Sequence, residues 1–174
     1  MSEEPPSCEV VVDAVWSDAG IDAAALVDDA CGAVWRRLPE ARALGPTEIG
    51  IHFADDVTVQ RLNAAWRGHD RPTDVLSFPA TTPTDLGPAP FGPVLLGDVV
   101  VGHRTCTDDA AALGAPLADH VRHLIVHGLL HLLHYDHQTP DDAARMEALE
   151  VAILADLGLP DPYAGRALLL ETST

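Results

Sequence analysis

The chain has 174 residues, of which 47% are hydrophobic and 21% are charged, so it is long and apolar enough to bury the core of one domain. Its formal net charge is −17 and all 10 basic residues are arginine, which argues against a broad basic surface for nonspecific binding to nucleic acids. We predict a single domain over residues 1–174, with loose tails at 1–7 and about 160–174.

Two features of the sequence indicate the compartment. The N-terminal MSEEPPSCEV lacks the basic start and apolar centre of a signal peptide, and no run reaches the roughly 18 apolar residues of a membrane helix. Cys8, Cys31 and Cys106 show no CxxC spacing, so we expect free thiols in a reducing environment. The expectation is a cytoplasmic protein without a membrane partner.

The first half of the chain predicts two pairs of a strand and a helix. Residues 8–16 are rich in β-branched side chains and predict a strand, after which Asp22 caps a helix with apolar residues at a spacing of four. Residues 47–55 alternate apolar and polar side chains and predict a second strand. A short helix follows, capped by Asp55 or Asp56.

The second half predicts two further strands and three helices. The strands span residues 74–79 and 94–102, with a bulge at Gly97, and the Pro-, Gly- and Thr-rich segment 80–93 between them predicts a surface loop or flap. The three helices that follow are predicted at 105–113, 116–134 and 139–158. Because strands precede most of the helices, the fold class is α/β or α+β: a small mixed sheet of about four strands packed with several helices.

Histidine is concentrated in the helix predicted at 116–134 and just beyond it. On a helix, five histidines fall within an arc of roughly 80°: His120, His123, His127, His131 and His134. Two histidines at positions i and i+4 can bind one metal ion, and both His123/His127 and His127/His131 have that spacing. Spacing alone therefore predicts a zincin-like metal helix without choosing the pair.

His137 is a candidate for a third metal ligand. It lies six residues beyond His131, after a turn that can bring it back towards the helix. The set of His127, His131 and His137 leaves a fourth coordination position for water, which is typical of catalytic zinc sites. We interpret His120 as an ordinary core histidine. For His123, contact with a ligand or substrate and a structural role both stay open.

The same histidine spacing occurs in metzincin peptidases, which suggests an alternative function. In their HExxHxxGxxH pattern the glutamate after the first histidine is the catalytic base. This chain has Gly128 at that position, so ordinary peptide hydrolysis lacks its proton acceptor. The missing side chain is expected to leave room for a bulky substrate or a closely packed strand.

Three segments resemble one known family. HLIVHGLLHLLHYDH (residues 123–137) is similar to the HLxxHGxLHLxGYDH signature of the YbeY family of metal-dependent bacterial endoribonucleases. NAAWRGHDRPTDVLSFP (63–79) resembles the N-x-x-(Y/W)-R-x-x-D-x-P-T-(D/N)-V-L-S-F-P segment of that family, and LGDVVV (96–101) resembles its LGDI-type strand. The segments occur in the family's order, and the resemblance covers roughly residues 45–157.

The resemblance implies a small mixed sheet beside several helices, and one zinc ion held by His127, His131 and His137. It implies that Arg67 lies in a cleft near the metal and takes part in catalysis. The implied activity is cleavage of single-stranded RNA, in maturation of the 3′ end of 16S ribosomal RNA and in ribosome quality control. The implied partners are precursor ribosomal RNA and the ribosome or a ribosomal protein; no DNA partner is expected.

Several residues carry an alternative interpretation. Arg67 is expected to bind the scissile phosphate, although a surface ion pair with Asp70 or Asp74 is its ordinary reading. Asp136 is expected either to hold a ligand histidine or to cap a turn. His134 replaces the family's glycine, and a left-handed backbone there costs on the order of 1 kcal/mol; we leave it outside the metal set.

Three questions about function stay open in the sequence. One rival to the enzyme is a noncatalytic ribosome-assembly factor in which a metal only stabilises the fold. No residue stands out as a general base, so the nucleophile is expected to be metal-activated water or the 2′-hydroxyl of the RNA. The acidic chain also needs either a groove that gathers its arginines or a protein partner that delivers the RNA. The arginines in question are Arg36, Arg37, Arg61, Arg67, Arg71, Arg104 and Arg122.

Overall fold

A computed structural model describes residues 4–164 of the chain. Within them, four strands form one sheet in the order β1-β2-β4-β3. The bounds are β1 Ser7–Val12, β2 Thr47–Ala54, β3 Val75–Pro79 and β4 Val94–Gly102. β2 pairs in parallel with both β1 and β4, whereas β3 pairs antiparallel with β4 and forms an edge of the sheet. The predicted mixed α/β sheet of about four strands is confirmed.

Six α-helices accompany this sheet in the described part of the chain. Their bounds are α1 Ala23–Arg37, α2 Pro39–Arg42, α3 Asp56–Arg67, α4 His103–Leu113, α5 Leu117–Leu132 and α6 Pro140–Asp156. None of the helices between residues 4 and 164 combines the length and the apolar character needed to cross a membrane. Asp22 and Asp55 cap their helices as predicted, and Thr139 caps α6 in the same way: each accepts a hydrogen bond from a backbone N–H of the first turn.

The main core lies on one face of the sheet, against α1, α5 and α6. Strand residues that alternate along the chain, such as Ile49, Ile51 and Phe53, point into it. The opposite face carries a smaller cluster in which α3 packs Val59 onto Leu76. The two faces matter for the site, because α5 lies on one of them and α3 on the other, with the edge strand β3 between.

Distant contacts shift two of the predicted element boundaries. The strand predicted at 8–16 ends at Val12, because residues 14–16 form a 3₁₀ turn in which Trp16 Nε1 donates to Ala54 O at 3.0 Å. α4 begins at His103, two residues before the predicted start at 105. Arg104 N donates to Asp56 Oδ1 at 3.0 Å, so a contact from another helix satisfies a first-turn N–H that the local sequence leaves open.

The bulge predicted at Gly97 is present in β4. Leu95 pairs with Glu48 and Gly97 pairs with Ile49, so Leu96 is the extra residue. Gly97 has a φ of +135°, and a Cβ at this position would lie 2.2 Å from Phe78 O. Only glycine fits this approach of two backbones.

The cysteines are free thiols, as expected for a chain without CxxC spacing. Cys31 and Cys106 are buried and Cys8 is partly buried. Although Cys8 and Cys31 are far apart in sequence, β1 and α1 bring their Sγ atoms to 3.3 Å. Burial raises the pKa of the Cys106 thiol well above its ordinary value, which keeps it protonated.

Candidate metal centre

α5 carries the histidines and ends in a left-handed turn. Apolar residues such as Ile125, Leu129 and Leu132 are fully buried, which anchors the helix against the sheet and α1. The helix predicted to 134 ends at Leu132, because His134 has a φ of +66°. His134 therefore adopts the conformation that the family's glycine would suit, and its Nε2 lies 3.0 Å from Thr81 Oγ1.

The left-handed turn returns the chain to the end of α5 and brings three imidazoles together. One ring nitrogen from each of His127, His131 and His137 lies within 4.8 Å of the others. The ring centroids of His131 and His137 are 5.1 Å apart, and those of His127 and His137 are 6.0 Å apart. These are the three residues that the sequence singled out, and they form a group of donors that can hold one metal ion.

The second nitrogen of two of these rings defines the tautomer. His131 Nδ1 donates to Tyr135 O at 2.9 Å, and His127 Nδ1 donates to the carboxylate of Glu150. Because a carbonyl and a carboxylate only accept, both Nδ1 atoms carry a proton, and in a neutral ring this leaves the lone pair on Nε2. The two Nε2 atoms lie 3.0 Å apart. As neutral rings, the two imidazoles would direct both lone pairs to one point, which suits a cation there.

The charge state of His131 also suits metal binding. Burial lowers its pKa, the neighbouring His127 and His137 lower it further, and the value reaches about 4. Its imidazole is therefore neutral near pH 7, which is the form that binds a metal ion.

Glu150 is the part of the site that the sequence reading missed. Its side chain is fully buried on α6, where it contacts His127, Tyr163 and, at 3.5 Å, His123 Nε2. Burial raises the pKa of Glu150, but hydrogen bonds from His123 and His127 and the charge of His127 outweigh burial and lower it to about 2. The missed signal is its position: a glutamate on the buried face of α6, between Met146 and Ile153.

An open cavity of about 930 Å³ leads to these histidines. Arg67 lines its other side and donates from Nη2 to Ser77 O at 2.8 Å. The alternative ion pair of Arg67 with Asp70 or Asp74 is wrong, because the guanidinium makes no ion pair with any residue in the described range 4–164. Asp70 instead accepts from Gln60, and Asp74 from its own strand start at Val75 N.

Other predicted residues fall into supporting positions. Ser77 Oγ donates to Gly128 O at 3.3 Å and so joins β3 to α5. A Cβ on Gly128 would lie 2.7 Å from Val99 Cγ1, which confirms the closely packed strand expected at this glycine. Asp136 accepts from Gln138 N at 3.2 Å, so the turn-capping interpretation is confirmed and the ligand-holding one is wrong.

The arginines do not gather along one groove. Of the seven considered, only Arg67 lines the large cavity among the residues that the structure describes. Arg37, Arg104 and Arg122 instead approach carboxylates of Asp156, Asp108 and Asp29 at 3.6, 3.8 and 3.0 Å. The net charge of −17 is thus not offset by a clustered arginine surface at the site.

The predicted C-terminal tail begins against the site. Tyr163 lines the cavity and its hydroxyl donates to Glu150. The N-terminal tail predicted at 1–7 meets the fold at Ser7, the first residue of β1. The remainder of the two predicted tails, residues 1–3 and 165–174, lies outside the described residues.

Fold and site together define a class: an α/β protein in which one helix and the turn that follows it bring together three histidines that can hold a metal ion. A sequence model of the family described as Endoribonuclease YbeY matches residues 18–158. The chain belongs to the YbeY family.

Relatives and a solved structure agree with this assignment. The protein named Endoribonuclease YbeY from Paramagnetospirillum magneticum is 48% identical over 162 residues, which are 89% of this chain and 95% of that protein. The one from a Bradyrhizobium species is 42% identical over 171 residues, 97% and 99% of the two chains. The solution structure of TM1509 from Thermotoga maritima shares the fold, with a TM-score of 0.54 at 17% identity, covering 86% of this chain and 91% of that one.

Proposed function

We propose that this protein is a zinc-dependent endoribonuclease that hydrolyses phosphodiester bonds in single-stranded RNA. Its role is in maturation of the 3′ end of 16S ribosomal RNA and in ribosome quality control, in the cytoplasm. Its partners are precursor ribosomal RNA and the ribosome or a ribosomal protein. One observation carries the proposal: three converging histidines share a cavity with an arginine, in a family whose relatives bear the name endoribonuclease.

His127, His131 and His137 would hold the metal through one nitrogen each. Three neutral imidazoles suit zinc, and they leave a coordination position open. When bound, zinc supplies a Lewis acid that polarises a phosphoryl oxygen and lowers the pKa of water. Glu150 and the carbonyl of Tyr135 keep two of the rings in the required tautomer.

Arg67 would bind and stabilise the scissile phosphate. Its guanidinium has five N–H donors in a planar fork, and the bond to Ser77 O occupies one side of that fork. The remaining donors are available to a phosphate in the cavity, where they would stabilise the negative charge that develops in the transition state. Ser77 thus orients the arginine through its backbone.

The test compares RNA cleavage by the wild type and Arg67→Ala at equal metal content. Loss of one charge-stabilising donor is expected to lower kcat by roughly 10²–10³-fold. Arg104→Ala is the matched control, because Arg104 is highly exposed and does not line the cavity. Equal cleavage by the wild type and Arg67→Ala would remove Arg67 from the site, and an inactive wild type with full metal would refute the enzyme.

The products of the same assay identify the nucleophile. Attack by the RNA 2′-hydroxyl leaves a 2′,3′-cyclic phosphate, whereas attack by water does not.

The rival function to exclude is a peptidase. Gly128 argues against it, because glycine supplies no carboxylate base at the position where metzincin peptidases have one. Peptide hydrolysis that requires zinc and disappears in His127→Ala would overturn the proposal.

A further inference from the structure

Trp66 is a large apolar side chain that the fold leaves in solvent. It lies near the end of α3, immediately before Arg67, and is 71% exposed. The other two tryptophans, Trp16 and Trp35, are each 2% exposed. Burial of an indole is strongly favourable. An exposed indole next to a residue that lines the cavity therefore indicates a role in binding rather than in folding.

Trp66 does not itself line the cavity, but it lies next to Arg67, which does. Its ring meets the ring of Phe78 at a centroid distance of 6.2 Å and an interplanar angle of 64°. This is an edge contact, and together with the high exposure it leaves an indole face open. Phe78 lies on the edge strand β3 between Ser77 and Pro79, both of which line the cavity. The two rings therefore cover the outer side of the strand whose inner side faces the histidines.

The charge around Trp66 differs from that of the whole chain. Residues 66–71 contain Arg67, His69 and Arg71 but only one acid, Asp70, whose carboxylate accepts a hydrogen bond from Gln60. This short segment is positive in a chain of net charge −17. An aromatic side chain beside an arginine suits a nucleic acid, because the ring can stack on a base while the guanidinium binds the adjoining phosphate.

We propose that Trp66, supported by Phe78, is a subsite that stacks one unpaired base of the RNA while Arg67 binds the neighbouring phosphate. The inference rests on the proposed function and extends it to a residue that makes no contact with the metal site. Stacking on an indole requires a base with a free face, and duplex RNA has none along its length. The subsite would therefore favour single-stranded RNA without reading its sequence.

Fluorescence of the full-length protein with zinc bound tests the stacking directly. Because Trp16 and Trp35 are buried, quenching by an added oligonucleotide reports mainly on Trp66. The probe is a single-stranded 2′-O-methyl oligouridylate, checked for integrity after the titration. The control is an abasic oligomer of equal length, which carries the phosphates but has no bases. We expect quenching by the first probe and little by the second.

Two variants of Trp66 and one control variant extend the test. Trp66→Leu keeps an apolar contact with Phe78 but removes the π-face, and is expected to weaken oligouridylate binding by about tenfold. Trp66→Tyr restores part of the stacking and should recover part of the affinity. Val57→Ala removes an exposed apolar side chain from the first turns of the same helix and should bind as the wild type does. Thermal unfolding checks that each variant folds.

The outcomes separate this inference from the proposed function. In cleavage of a single-stranded substrate, Trp66→Leu should raise KM by about the same factor as the binding constant and change kcat by less than about twofold. Equal quenching by abasic and base-bearing probes, or unchanged affinity in Trp66→Leu while the wild type cleaves RNA, would overturn the subsite alone. A wild type that neither binds nor cleaves RNA would overturn both.

Discussion

The two halves of the histidine face on α5 have similar spacings, three residues from His120 to His123 and four from His127 to His131, but different surroundings. In the C-terminal half, the Nδ1 atoms of His127 and His131 each donate to a buried acceptor, and the ring centroids lie 4.6 Å apart. In the N-terminal half, His120 Nε2 is buried without a hydrogen-bond partner among residues 4–164, and the contact of His123 Nε2 with Glu150 is long, at 3.5 Å. The centroids of that pair are 6.3 Å apart.

The difference shows what converts a helical spacing into a metal site. Spacings of three or four residues place imidazoles on one face of a helix in both halves, but they do not orient the rings. Orientation comes from Glu150 and Tyr135 O, which belong to α6 and to the turn after α5. The third donor, His137, also comes from beyond the helix. Burial lowers the pKa of His120, as does the nearby His123, which is consistent with a neutral core histidine.

The largest expected effect comes from removing a metal donor in the C-terminal half of the histidine face. His131→Asn removes one of three metal donors and should lower zinc affinity by more than about 100-fold, beyond the cost of losing a supporting contact. His120→Asn makes the same chemical change on the same helix and should retain one zinc per chain. Elemental analysis after dialysis at fixed free zinc measures both. Equal zinc loss in the two variants would contradict the assignment of the site to the C-terminal half.

Glu150→Gln tests whether the carboxylate that accepts from His127 raises the zinc affinity of the site. The amide oxygen can still accept from His127 Nδ1, but the negative charge that strengthens the ligand is lost, so zinc affinity should fall by about 10–100-fold. Competition with a chromophoric chelator measures the affinity, and the visible spectrum of the Co²⁺ form reports the geometry. Glu147→Gln removes the same charge from the same helix as the control. If both variants lose affinity equally, the effect is general electrostatics.

Gly128→Ala perturbs the point between the two halves where α5 packs on the sheet. Its Cβ would lie 2.7 Å from Val99 Cγ1 and 3.2 Å from Ser77 Oγ, so we expect a loss of about 1–3 kcal/mol in the free energy of unfolding. Gly32→Ala in α1 is the matched control. There the Cβ meets only the end of the flexible Arg36 side chain, and the change should stabilise by about 0.5–1 kcal/mol. Chemical denaturation measures both, and destabilisation by both would contradict the argument.

The smallest expected effect concerns the turn that brings His137 back. Both His134→Gly and His134→Ala lose the contact with Thr81, but only the glycine variant relieves the strain of the left-handed backbone conformation. The glycine variant should therefore unfold with a free energy about 1 kcal/mol higher than the alanine variant. Urea denaturation of the metal-free proteins checks the difference. Equal stabilities would show that the turn carries no strain.

Much of the fold follows from local patterns that tertiary contacts did not override. The alternation in residues 47–55, the cap at Asp22 and the glycine at position 97 each predicted their element correctly. Two of the errors have a common cause, because they occur where a distant residue ends or begins an element. Trp16 leaves the first strand to reach Ala54 O, and α4 starts early beside Asp56.

By itself, the sequence determined which histidines can share a face and which family signature they complete, because helical periodicity and residue type are local properties. The tertiary structure alone decided that Glu150 from α6 would fix the ring of His127, and that Arg67 would lie across the cavity on Ser77 O rather than on a carboxylate. It also decided that Trp66 would stay exposed to solvent next to Arg67. These relations join elements distant in the chain, and only packing of α3, α5 and α6 around the sheet sets their distances.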